Sequence, residues 1–120
     1  DKQLWEINYA ICDRSDDKIF ENGLSIMKQY GLPFVINSIL NIIEAIFLTK
    51  KNNGTLFESS SRSIRGNVIK RISSASNNYS LLELEHAINA LSKIDIKIKT
   101  QKVIDETEFA NIINGVFRGE

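Results

Sequence analysis

Ser80-Leu81-Leu82-Glu83-Leu84-Glu85-His86-Ala87-Ile88-Asn89-Ala90-Leu91-Ser92-Lys93-Ile94-Asp95-Ile96-Lys97-Ile98-Lys99 opens with a serine followed three residues later by a glutamate. That spacing is a capping box, in which each side chain satisfies a backbone N–H that the first helical turn leaves unpaired. Beyond it, Leu84, Ala87, Ile88, Leu91, Ile94 and Ile98 recur at the three- and four-residue intervals of one helical face, so the run reads as a single amphipathic helix.

The same period runs outward from this helix in both directions. Upstream, about Gln3 to Asp13 places Leu4, Ile7 and Ile11 on one stripe, with Trp5 and Cys12 beside it. Ser15 or Asp16 can cap a second helix carrying Ile19, Phe20, Gly23, Leu24, Met27 and Tyr30, which Gly31 ends. A third spans Pro33 to about Lys50 and starts with proline at an allowed first-turn position. Its apolar face, from Val35 through Phe47, covers nearly half the circumference and predicts a central core helix; the polar stripe Asn37, Ser38, Asn41 and Glu44 opposes a membrane span. Ile64, Val68 and Ile72 mark a weaker fourth helix through Arg71, before the polar run Ser73 to Tyr79. Downstream, Asp105 with Glu108 three residues on caps a last helix presenting Phe109, Ile112, Ile113, Val116 and Phe117. Strand signals are nearly absent. Asn53-Gly54, the most hairpin-like pair, sits in a polar break and reads as a loop. The expectation is an all-α compact bundle of about five to six helices, a single domain over residues 1–120.

Composition narrows the function classes. Hydrophobic residues make up 42% and charged residues 25%, which are values of a soluble globular chain. The chain begins Asp1-Lys2 without an initiator Met or targeting segment, which predicts a piece of a longer polypeptide. Cys12 stands alone, so it forms no internal disulfide and fits a reducing cytoplasmic setting as a small buried apolar side chain. His86, the single histidine, falls on the outward side of its helix with no second His or Cys near it in sequence, and reads as an ordinary surface residue. Metal clusters, phosphate-binding loops, dinucleotide turns and nucleophile elbows are missing, so no catalytic residue, cofactor or metal is expected. Net charge is zero, yet between Lys50 and Val103 ten bases stand against four acids, a surplus of six. A basic middle suggests a polyanion nearby, whereas the zero total opposes a free-standing, tight nucleic-acid binder.

Two further features belong to the helix after Ser80. Asp95 and Lys99 stand one turn apart in the favourable acid-before-base order and read as a structural ion pair. Leu82, Asn89 and Ile96 recur every seven residues on a face turned from the core stripe. They are candidates for a subunit interface, against the alternative that scattered exposed apolar groups need no explanation.

From Leu82 to Thr100 the sequence resembles the signature helix in the C-terminal domain of the delta subunit of the bacterial DNA polymerase III clamp loader. In that family a leucine-rich helix ends in an acidic residue, three mostly apolar positions and lysine, as Asp95 to Lys99 do here; Lys97 places a charge where the family usually has an apolar or small residue. The order of the other helices fits as well, over about residues 4 to 118. The resemblance implies an oligomerisation domain that joins other clamp-loader subunits in a helical collar, within a DNA-directed DNA polymerase holoenzyme in the bacterial cytoplasm near the nucleoid. It implies no catalysis by this piece, and contact with the sliding clamp only through N-terminal domains outside it. Template DNA passes beneath the collar, and Lys97, Lys99 and Lys102 are candidates to face it, a weak or indirect contact. No membrane partner is implied. The competing readings are a helical adaptor or regulatory domain that binds a protein through the Leu82/Ile96 face, a helical nucleic-acid module, and an enzyme.

Overall fold

The computed structural model describes residues 2–52, 67–97 and 105–118, with side chains at 5–52, 71–94 and 105–118. Six α-helices form an all-α bundle, with no strand among the described residues: α1 (Lys2–Asp13), α2 (Asp16–Tyr30), α3 (Leu32–Lys51), α4 (Asn67–Ala75), α5 (Leu81–Lys97) and α6 (Glu106–Arg118). A short 3₁₀ turn, Ser76–Asn78, joins α4 to α5. The last stretch of the predicted helix, Ile98 and Lys99, lies outside the described residues, as do Asn53-Gly54 and Ile64.

α3 is the centre. It packs most extensively on α5 and also against α1, α2 and α4. Leu32, Val35, Ile36, Ile39, Ile42, Ile43, Ala45, Ile46 and Thr49 are all buried along it, while Asn37, Asn41 and Glu44 face outward. By length and composition α3 could cross a bilayer, but half of its most apolar window, 50%, is covered by the other helices. A helix hydrophobic on this much of its surface needs neighbours on several sides, and the bundle supplies them.

The element boundaries follow local chemistry. Ser80 N–H donates to Glu83 Oε1 at 2.9 Å and Glu83 N–H donates to Ser80 Oγ at 3.0 Å, so the capping box is formed. Glu108 N–H donates to Asp105 Oδ1 at 2.7 Å at the start of α6. Gly31 adopts φ 97°, a left-handed conformation costly for residues with a Cβ, and so ends α2 and starts α3 within one residue.

Three boundary readings differ from expectation. Ser15 holds the N-cap position of α2, but its side chain makes no cap hydrogen bond, and the Asp16 carboxylate is drawn away to Arg118 at 3.1 Å. α4 continues past Arg71 to Ala75, and the polar run Ser73 to Tyr79 is partly enclosed: Ser76 and Tyr79 are buried while Asn77 and Asn78 are exposed, and Ser76 Oγ donates to the Ser73 carbonyl at 2.7 Å. A serine that satisfies its own hydroxyl locally can enter a core that its polarity would otherwise exclude it from. Tyr30, expected on the inner stripe of α2, is 42% exposed and stacks on Phe34 across the Gly31 corner, with ring centroids 4.8 Å apart. Ile26 takes the buried place instead.

Candidate interaction surface

The α1–α2 turn is where separate parts of the chain meet. Arg14 follows α1 with φ 54°, the only described non-glycine residue with positive φ, and this turn aims its side chain at the junction before α5. Its guanidinium binds both carboxylate oxygens of Glu83, donates to the Asn78 carbonyl at 2.6 Å and lies 4.7 Å from the centre of the Tyr79 ring. The forked contact is the geometry in which arginine binds carboxylates best. Asn78 Nδ2 donates to the Cys12 carbonyl at 2.8 Å and Tyr79 OH to the Ile11 carbonyl at 2.5 Å. The segment preceding α5 thereby supplies side-chain donors to two carbonyls at the end of α1, of which Ile11 also accepts the Arg14 backbone N–H at 3.1 Å.

Electrostatics follow the contacts. The Arg14 guanidinium and the Ser80 backbone N–H hold the Glu83 carboxyl at about 2, well below its ordinary range, and the Glu83 bond in turn raises Arg14. Burial pushes the Cys12 thiol up to about 12 and raises the Tyr79 phenol. Neither group offers a nucleophile at neutral pH. Among the described residues no three His, Cys, Asp or Glu side chains gather as metal ligands.

Beside this junction lies an open cleft of about 470 Å³ lined by Arg14, Asp16, Leu82, Glu83, His86, Val116, Phe117 and Arg118. Its walls are the α1–α2 turn, the first turns of α5 and the last turn of α6. Leu82 is 77% exposed, the most exposed large hydrophobic side chain among the described residues. No family model, curated relative or solved structure matches the chain. The surface is therefore interpreted from its own chemistry.

Of the three residues proposed as an interface, Leu82 and Asn89 are both exposed on α5, while Leu84, Ala87 and Leu91 of the same helix are buried. Ile96 lies within the α5 backbone, and its side chain is outside those described; the same holds for Asp95 and Lys97. Lys99 and Lys102 lie outside the described residues altogether. The ion pair Asp95–Lys99 and the DNA-facing lysines thus stay expectations. Other bases of the middle segment are engaged within the bundle: Lys50 Nζ donates to the Ser76 carbonyl at 2.9 Å, and Arg71 pairs with Asp13 at 3.2 Å while lying 4.3 Å from the centre of the Tyr9 ring.

His86 is exposed, as its position on the wheel predicts, but it is not idle. Its Nε2 stands 2.7 Å from the Gly115 carbonyl, and because a carbonyl can only accept, Nε2 carries the proton in this bond. The contact ties α5 to a carbonyl in the last turn of α6. Sequence reasoning missed both this tie and the Arg14–Glu83 pair, since their partners lie 29 and 69 residues apart. The left-handed turn at Arg14 had no glycine or asparagine to signal it.

Proposed function

We propose that this chain is an assembly domain, and specifically the oligomerisation collar of a bacterial clamp-loader delta subunit, joining other loader subunits in the machine that places the sliding clamp on primed DNA. The observation that carries this reading is the division of α5: one face closes the core through Leu84, Ala87 and Leu91, while Leu82 and Asn89 stand in solvent. Leu82, with Leu81 beside it 39% exposed, gives a partner an adjoining apolar anchor at the start of this face. The resemblance of Leu82 to Thr100 to the family's signature helix supplies the identity of the partners. The domain performs no chemistry in this reading; its contribution is to hold its neighbours in a ring. It works in the bacterial cytoplasm, with weak or indirect DNA contact and no membrane.

Mixing the purified chain with the remaining loader subunits tests the reading by light scattering. A complex of the summed mass is expected, and Leu82→Glu weakens it; absence of any complex at micromolar concentrations overturns the collar assignment. A helical adaptor unrelated to replication would use the same exposed leucine, and it predicts no complex in that mixture. A nucleic-acid module predicts instead tight, strongly salt-dependent DNA binding by the chain alone.

A further inference from the structure

We propose that Arg14 is a positioning residue for the interface: by holding the first turn of α5 against the α1–α2 turn, it presets how Leu81 and Leu82 meet a neighbouring subunit. The inference rests on the collar reading for one point, that a loader subunit covers Leu82. It starts from a residue that local physics would not choose. At the end of α1 the Ser15 N–H donates to the Ala10 carbonyl at 2.9 Å and the Arg14 N–H to the Ile11 carbonyl at 3.1 Å. This is the bond pair of a helix terminus whose reversing residue is left-handed. Arg14 is that residue, at φ 54°, where glycine is the usual occupant because a Cβ is crowded there. A strained backbone persists where the surrounding contacts over-determine it.

Those contacts converge on one short span. The Arg14 guanidinium meets the Asn78 carbonyl, the Tyr79 ring and both carboxylate oxygens of Glu83. Leu81 and Leu82, both exposed, stand between Tyr79 and Glu83, so the turn that carries them is the turn Arg14 holds. The capping box of Ser80 and Glu83 sets where α5 begins, but it is local to that turn and does not fix how the turn sits on the bundle. Buried Leu84 anchors the turn on the core side. Arg14 and Glu83 line the same cleft as Leu82, so their fork ties down the turn beside the exposed leucine. A planar fork with two bonds restrains rotation as well as distance, which a point charge such as lysine does not. An apolar anchor already held in place binds without the entropy loss of ordering a loose helix end.

Arg14→Gly separates this role from plain stability. Glycine relieves the left-handed backbone while the exposed ion pair is lost, two effects of similar size and opposite sign, so the melting temperature should stay within about 3 °C. The complex with the loader subunits, titrated by light scattering, should nevertheless weaken about fivefold. In the free chain the Glu83 and Leu84 amides, both bonded to Ser80, should exchange about threefold faster, with those at the middle of α3 unchanged. In a Leu82→Ala background Arg14→Gly should add little, because it acts through the leucine. Unaltered affinity, unaltered exchange at Glu83 and Leu84, or an equal loss in the Leu82→Ala background overturns the proposal. So does a loss of binding that follows a large fall in melting temperature, which makes Arg14 a stability residue alone. A natural chain that forms no complex removes the collar reading and this inference together, whereas a complex that forms and ignores Arg14→Gly overturns this inference by itself.

Discussion

Glu83 does two things with one carboxylate: it caps α5 through Ser80 and it holds the guanidinium of Arg14. Substitutions separate them. Glu83→Gln keeps the side-chain oxygen that the capping box needs and removes the charge, so the loss should stay below about 1 kcal/mol, as for other exposed ion pairs. Glu83→Ala removes both roles and should cost about 1–2 kcal/mol in urea unfolding. The carboxyl titrates at about 2 in the folded chain against an ordinary 4.5, so its stabilisation is complete above the ordinary value and is lost as pH falls through about 2. Thermal melts of the natural chain should therefore fall between those values, and Glu83→Gln should flatten that part of the profile; an unchanged slope would place the acid sensitivity elsewhere. Tyr79→Phe tests the neighbouring contact. It removes one of two bonds to the Ile11 carbonyl, which keeps the Arg14 backbone N–H at 3.1 Å, and a loss of about 1 kcal/mol is expected, read as a lower melting temperature.

At the scale of elements, the approach of α6 to α2 depends on a missing side chain. A Cβ placed on Gly23 of α2 would stand 2.9 Å from Phe109 Cζ and 3.5 Å from Ile7 Cδ1, so α6 and α1 both press against this position. Alanine is the better helix former by about 1 kcal/mol, which favours the substitution. Overpacking a filled core costs about 1–3 kcal/mol and opposes it. The Phe109 ring is fully buried and already packed at 5.9 Å from Phe20, so it has little space to yield. Gly23→Ala should be net destabilising, by about 1 kcal/mol in chemical denaturation, and a more stable variant would mean that the ring moves freely. Tyr30 belongs to this scale too. Its inward position on the wheel was overridden because the Gly31 corner offers it the face of Phe34.

Across the whole molecule, α3 packs against α1, α2, α4 and α5, while α6 is held chiefly by α5 and α2. Ile39→Ala, at the fully buried middle of α3, should cost about 2–5 kcal/mol, a large part of the about 5–15 kcal/mol that holds a domain together. Cys12 provides a probe of the same cooperativity. With its thiol buried and titrating at about 12, alkylation at mildly alkaline pH should be negligible in the folded chain and should rise with the loss of helicity in urea; rapid labelling before unfolding would show that the end of α1 opens by itself. The sequence by itself determined the helices, the capping box of α5 and the Asp105 cap of α6, the glycine corner and the inward faces of α1, α3, α5 and α6, because these are written in spacings of three and four residues. It also placed Leu82 outside the core. Only the tertiary structure decided that Tyr79 and Ser76 are buried, that Arg14 reaches Glu83, that His86 meets Gly115 and that a cleft opens beside Leu82. Those contacts join residues far apart in the chain, and their geometry depends on how the helices pack, which no local pattern carries.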